Sequence, residues 1–373
     1  MKETIQKQYK RQGFRVGILG SGQLARMLAL SCHQLGLTPI VLAQKSSDPA
    51  AQVCPKVCFS IKELFKLSDV VTFESEFFDA DELALLPAKE RAKIFPDLAI
   101  LKKIQFRNLQ KKLLQDYRVP TLSALSVKNI SDLKSAYENL GHRFVLKKNF
   151  GGYDGYGTFY SQSKKDFLIL KNKLNEPHGF IAEPWVSIKK ELACVFARDQ
   201  QGFQTNFPLV ETIQQKSKCS IIMGPLKHPA FPRLKKRIQK MLEETNYVGC
   251  LGVEMFAVGN ELIVNELAPR VHNTAHFSQN ALLCSQFDLH IKAVSGFSIK
   301  SELLPFENFC MINLLGTGKP FVKIPANHSG ALHMYGKSQS MDGRKMGHIN
   351  FVGKKSLKKL KSLAEAQREK FVL

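Results

Sequence analysis

Two glutamates carry the first chemical signal in the chain. Glu254 lies in Val253-Glu-Met-Phe-Ala257 and Glu266 closes Leu262-Ile-Val-Asn-Glu266, apolar runs in which a lone carboxylate is costly to bury unless something neutralises it. The two runs read as a β-hairpin from Val248 to Glu266. With a three-residue connection, Gly259, Asn260 and Glu261, position 258 faces 262 and position 254 faces 266, so both acids share one side of the sheet. A two-residue connection would separate them onto opposite faces. Two carboxylates on one face suit magnesium, which takes oxygen ligands and commonly combines one or two carboxylates with substrate phosphates. Two acids exposed at the rim are the plainer alternative.

Lys147 ends a short strand, Arg143 to Lys147, and leads into Lys148-Asn-Phe-Gly-Gly-Tyr-Asp-Gly-Tyr-Gly157, a loop with four glycines. An ammonium at a strand end and the N–H groups of such a loop can be laid on nucleotide phosphates. Between this loop and the acids, Ile181-Ala-Glu-Pro-Trp-Val186 is a candidate hinge strand beside an adenine. Directly after the hairpin, Arg270, His272 and Asn273 form a polar cluster, with a purely structural histidine as the alternative. No serine or cysteine nucleophile has triad spacing.

Two further motifs point to phosphate. Gly20-Ser-Gly-Gln-Leu-Ala25 satisfies G-x-G-x-x-A after a strand, and the N–H groups opening its helix could receive a dinucleotide or a smaller phosphate. A dinucleotide site also wants an acid at the end of the second strand, and that end reads Leu42-Ala-Gln44. Glycines needed only for a tight turn are equally compatible. Gly336-Lys337-Ser338 resembles the end of a P-loop, but the upstream Gly330 is one residue too far away and Ala331 to Tyr335 alternates like a strand. Lys337 remains a candidate phosphate-directed cation, with Arg344-Lys345 as a nearby donor pair and a solvated basic surface as the bland reading.

The elements that must position these groups follow from periodicity. Phe14 to Gly20, Thr38 to Leu42, Val57 to Ser60 and Asp69 to Phe73 read as strands, with a helix after the first glycine turn, and this alternation predicts an α/β parallel sheet. Asp97 to Tyr117 reads as one helical stretch and Arg118-Val-Pro120 breaks it. A second, α+β region follows, with strands at Phe180 to Glu183 and Glu191 to Ala197, a basic amphipathic helix at Pro232 to Asn246 and a helix at Ser278 to Ser295. From about Phe306 come short strands and a charged helical tail. The domains expected are 1–105, 106–305 and 306–373.

A length of 373 residues suits two or three such domains, and 44% hydrophobic with 23% charged residues excludes a disordered or collagen-like chain. The net charge of +22 would attract polyanions nonspecifically, but no recognition motif accompanies it, so no specific nucleic-acid partner is expected. The eight cysteines show no CxxC pair and read as reduced thiols. No apolar run is long enough to span a membrane and the first residues lack a secretory core, so the expected address is the cytoplasm.

In order and spacing the motifs resemble the ATP-grasp superfamily and, within it, the 5-(carboxyamino)imidazole ribonucleotide synthase family. The stretches GILGSGQLARMLAL, DVVTFESE, GGYDGYG, YVGCLGVEMF, NELAPRVHN and YGKSQSMDGRKMGH carry the resemblance, which covers nearly the whole chain. It implies an ATP-grasp fold with an N-terminal Rossmann-like domain, a central ATP-grasp domain and a small C-terminal β domain, assembled as a homodimer. It also implies a ligase that uses ATP, magnesium and bicarbonate to carboxylate the exocyclic amine of 5-aminoimidazole ribonucleotide through carboxyphosphate, in purine biosynthesis.

By the same resemblance, ATP contacts fall on Arg107, Lys147, the loop Gly152, Tyr153, Asp154, Gly155 and Gly157, and on Glu183, Val186, Glu191, Gln214, Asn265 and Glu266, while Glu254 and Glu266 hold magnesium. The acceptor meets Gln23, Leu24, Glu76, Lys337 and Arg344. Tyr153, Asp154, Arg270, His272, Asn273 and Lys337 surround the reacting groups. The chain departs from the family pattern at Tyr156, where the loop usually has Arg or Lys, and at Gln214, where a histidine is usual. An ATP-grasp paralogue with another acceptor and a noncatalytic nucleotide-binding relative are the alternatives.

Overall fold

The computed structural model describes residues 13–152, 155–215, 217–300, 303–305, 307–319 and 324–371. The chain begins as its alternation predicts. Strands β1 (Arg15–Leu19), β2 (Thr38–Leu42), β3 (Lys56–Cys58) and β4 (Val70–Phe73) form a parallel sheet in the order β3-β2-β1-β4. Val16, Ile18, Leu19, Val71 and Phe73 are wholly buried, as strands covered on both faces must be.

The central region has two antiparallel sheets. Strands β5 (Leu125–Val127), β6 (Phe144–Lys148), β7 (Thr158–Ser161) and β8 (Phe180–Pro184) run in the order β5-β8-β6-β7. Strands β9 (Lys190–Arg198), β10 (Gln204–Asn206), β11 (Leu209–Gln215), β12 (Lys218–Leu226), β13 (Gly249–Val258), β14 (Glu261–Ala268), β15 (Asn308–Leu315), β16 (Ala331–Met334) and β17 (Lys345–Gly353) build the larger sheet. Its order is β14-β13-β9-β11-β12-β15-β17-β16, with β10 alongside β9. The last three strands thus continue the central sheet through the β12–β15 pairing.

Two stretches read as single helices are interrupted. The first runs Leu98–Gln105, then Arg107–Asp116, because Phe106 between them is extended (φ −99°, ψ 122°). There the Arg107 N–H donates to the Asn149 carbonyl at 2.9 Å, and the Phe106 ring packs against Phe150 and His178. This break swings Arg107 toward the central sheets. The second runs Ser278–Ala281, then Gln286–Val294, where Ser285 and Asp288 form a reciprocal cap that starts a new helix.

The N-terminal sheet is fastened to the rest through that last helix. The helix Gln23–Gln34 lies against it, with Ser31 Oγ donating to Asp288 at 2.5 Å. Val16, Leu28 and Val70 share one apolar cluster with Ala193, Val195, Phe287 and Val294. The N-terminal wall of the cleft and part of the large sheet therefore share a core, while the smaller sheet packs a cluster of its own around Phe144, Leu146 and Phe180.

Candidate active site

The acids meet by a route other than the expected one. The hairpin turn has two residues, Gly259 and Asn260, with Val258 opposite Glu261, and Gly259 takes the left-handed backbone (φ +60°) that a tight hairpin turn requires. Continued regularly, this register would set Glu254 against Asn265 and turn Glu266 to the face of wholly buried Val253. A β-bulge at Asn265 absorbs one residue, so Glu254 pairs directly with Glu266. Neighbours pin the bulge: the Val264 N–H donates to the Pro120 carbonyl at 2.7 Å, Thr121 Oγ1 donates to the Val264 carbonyl at 2.9 Å, and the Leu267 N–H donates to Gln110 Oε1 at 3.0 Å. The expectation of a three-residue loop is thus corrected, while the shared face holds.

Glu254, Asn265 and Glu266 line a cleft of about 570 Å³ that also takes in Gln23, Leu24, Glu76, Arg107, Lys147, Gly155, Glu191, Gln214, Arg270, His272 and Asn273. Arg107 donates to Glu266 Oε2 at 3.0 Å. Lys147 Nζ sits between Glu183 Oε2 at 2.6 Å and Asn265 Oδ1 at 2.8 Å. Glu183 itself does not line the cleft: it is 1% exposed beneath it and holds Lys111 with its other oxygen. Burial works against the charged form of Glu183, but the two ammonium groups outweigh it and hold the carboxyl below its ordinary range. Glu191 accepts from the Gln214 amide at 2.9 Å, and burial raises its carboxyl above the ordinary range.

On the N-terminal wall the glycine turn has its own anion. Glu74, at the end of β4, accepts from the N–H groups of Gly22 and Ala25 and so occupies the start of the helix Gln23–Gln34. A Cβ on Gly20 would stand 2.6 Å from the Glu74 side chain, and one on Gly22 2.8 Å from its carboxylate. These glycines admit an internal carboxylate, which corrects the phosphate and dinucleotide readings of that turn. Nearby, Arg270 grips both oxygens of Glu76, at 2.5 and 3.0 Å. His272 bonds Thr274 through Nδ1 at 2.9 Å and lies 3.5 Å from Glu254 through Nε2. Burial, with the Arg270 and Lys345 charges, holds its imidazole down to about 3, so the ring is neutral.

Several named residues lie off the cleft lining. Val186 is on the segment joining β8 to β9, and Gly152 borders a smaller hollow beside Arg107. Gly157 packs over the Lys148 stem. Lys337 Nζ donates to the Lys345 carbonyl at 2.7 Å, and Arg344 is half-buried with a bond to the Gln339 carbonyl. It is Lys345 that reaches the lining. Tyr153 and Asp154 fall outside the described residues. Tyr156 is 58% exposed with Lys148 Nζ 4.6 Å above its ring. Sequence reasoning missed Glu74 and Lys111, and named Lys345 only as part of a donor pair with Arg344. The four-residue spacing of Arg107 and Lys111 was a usable signal, since it puts both cations on one helix face.

The donors fit magnesium. Among the described residues no cluster of three or more His, Cys, Asp or Glu side chains could hold a metal alone. Two opposed carboxylates that need further oxygens from a bound substrate are what this cation accepts. Among the described residues, no helix is long and apolar enough to cross a membrane.

Three family descriptions match in chain order: a ribonucleotide synthetase preATP-grasp domain over residues 14–105, an ATP-grasp domain over 112–287, and a phosphoribosylaminoimidazole carboxylase C-terminal domain over 310–362. Fold and cleft together define an ATP-grasp protein. An N5-carboxyaminoimidazole ribonucleotide synthase of Staphylococcus aureus is 33% identical over 350 residues, 91% of this chain and 93% of that protein. One of Saccharolobus solfataricus is 31% identical, covering 91% of each. The structure of the Staphylococcus aureus synthetase complexed with ADP matches with a TM-score of 0.87 and 30% identity, covering 96% of this chain and 98% of that one. That of the Aspergillus clavatus synthase complexed with ATP matches with a TM-score of 0.83, 27% identity and coverage of 96% and 98%. The chain belongs to the N5-carboxyaminoimidazole ribonucleotide synthase family.

Proposed function

We propose that this protein is an ATP-dependent ligase that carboxylates the exocyclic amine of 5-aminoimidazole ribonucleotide, a step of purine biosynthesis. One observation carries the reading: a single cleft joins the opposed acids and cations of the hairpin side to Gln23, Leu24 and Glu76 of the N-terminal side. A nucleotide and a second substrate can therefore meet without crossing solvent.

Arg107, Lys147 and the loop Gly152, Gly155 and Gly157, with Tyr153 and Asp154, close on the phosphates, while Val186 and the backbone beside Glu183 border the adenine and Glu191 with Gln214 meets the ribose. Magnesium, held by Glu254 and Glu266 with Asn265 beside them, supplies charge neutralisation on the transferred phosphoryl group when bound. A bicarbonate oxygen attacks the γ-phosphorus and ADP leaves. Carboxyphosphate then breaks into carbon dioxide and phosphate, the amine attacks the carbon, and its proton passes to the phosphate just released. Arg107 and Lys147 offset the charge gathered on the phosphoryl oxygens. Arg270, fixed by Glu76, offers a guanidinium to the carboxylate-like species, and neutral His272 with Asn273 supplies hydrogen bonds without adding charge. The acceptor's phosphate meets the basic group formed by Lys337, Arg344 and Lys345, of which Lys345 reaches the cleft lining. A homodimer in the cytoplasm, divided at about residues 105 and 305, completes the proposal.

ATP consumption by the purified protein tests it. The rate should rise when bicarbonate and 5-aminoimidazole ribonucleotide are both present, with carboxylated ribonucleotide formed in step with ADP. Stimulation by neither would refute the activity. Sedimentation tests the dimer.

A further inference from the structure

The cluster beneath the cleft holds two lysines on one carboxylate. Lys111, Glu183 and Lys147 have side-chain exposures of 6%, 2% and 10%. Lys111 takes one oxygen of Glu183, Lys147 takes the other, and Lys111 also donates to Thr121 Oγ1 at 3.0 Å. A Lys147–Glu183 pair alone would present no net charge to a phosphate. With Lys111 on the far oxygen the trio carries one positive charge in excess, and the exposed end of that trio is Lys147.

We propose that Lys111 is a positioning residue for phosphate binding: it compensates Glu183 from below, so that Glu183 orients Lys147 without cancelling its charge toward the cleft. This rests on the reading of Lys147 as the phosphate-directed cation. Lys111 touches no substrate; it acts through Glu183. The arrangement resolves a conflict, because an ammonium held by a buried carboxylate is well oriented but electrostatically silenced. Thr121, the other partner of Lys111, bonds the strand carrying Asn265, so the same lysine ties both supports of Lys147 together.

The test measures dissociation constants of full-length protein for ATP and for adenosine by ligand-observed NMR, in wild type, Lys111→Met, Lys111→Arg and the double variant Lys111→Met/Glu183→Gln. Lys111→Met should weaken ATP about tenfold more than adenosine, the loss expected for silencing one phosphate-directed cation. Lys111→Arg should retain the wild-type ratio. The double variant should recover it to within about threefold, because the carboxylate that silences Lys147 has gone. Should Lys111→Met not fold, wild type against the double variant decides: a retained ratio supports the proposal and a lost one overturns it. Equal weakening of ATP and adenosine, or a double variant no better than the single, overturns it as well. A wild type that prefers ATP but shows no bicarbonate-stimulated turnover would refute the carboxylation and leave this inference standing; one that binds ATP no more tightly than adenosine would overturn both.

Discussion

His290 joins the two halves of the molecule, and its titration can be worked through from the structure. Its Nδ1 accepts the Cys250 N–H on β13 at 3.0 Å, and its Nε2 lies 2.8 Å from Thr72 Oγ1 on β4. Because Nδ1 accepts a backbone N–H, the neutral ring carries its proton on Nε2 and donates it to the threonine. Burial holds the imidazole down to about 3, against an ordinary value of 6.5. Between those values the unfolded chain binds a proton that the folded chain does not. The stability contributed by this ring is therefore present above about pH 6.5 and lost as the pH falls toward 3. At pH 5, about 1.5 units below the unfolded value, the loss is ~2 kcal/mol. His290→Gln keeps an acceptor for Cys250 and a donor for Thr72 but does not titrate. It should lower stability at pH 7 by roughly 1 kcal/mol, the usual cost of an imperfect core replacement. It should then lose about 2 kcal/mol less than wild type between pH 7 and pH 5. Urea unfolding followed by circular dichroism at both pH values measures the difference, in which the other buried histidines cancel. Parallel losses in the two proteins would refute the reasoning.

Glu254→Gln and Glu266→Gln should each cut turnover roughly hundredfold, the scale of removing one charge-stabilising group from a transition state. Glu266→Gln should also lower stability in thermal unfolding by ~1 kcal/mol, since it removes the carboxylate charge paired with the half-buried Arg107 guanidinium. Gly22→Ala sets a Cβ 2.8 Å from the Glu74 carboxylate, so it should displace that cap and shift Gln23 and Leu24. The expected result is a raised KM for the ribonucleotide with KM for ATP unchanged; a rise confined to ATP would contradict the placement of the acceptor.

Local chemistry was legible wherever period and residue type agreed. The strands at Arg15–Leu19, Thr38–Leu42 and Val70–Phe73 follow from apolar runs ended by turn residues, and their parallel order follows from alternation with helices. Lys147 at a strand end and the acids of the hairpin needed only the sequence to be nominated. The breaks at Phe106 and before Ser285 were not legible as breaks, because both flanking segments have good helical spacing. What interrupts the first is a carbonyl more than forty residues away, that of Asn149.

The sequence by itself determined which residue types could bind phosphate and metal, and roughly which strand or loop carries each, because periodicity and turn chemistry act over a few residues. Only the tertiary structure decided how they meet. The turn length alone would have parted Glu254 from Glu266, and the bulge at Asn265, pinned by Pro120, Thr121 and Gln110, brought them together. Likewise Glu74, not a ligand, fills the glycine turn, and Lys111 supports Lys147 through a carboxylate hidden from solvent. Burial and charge compensation are properties of groups gathered from distant parts of the chain, so they exist only once the chain has folded.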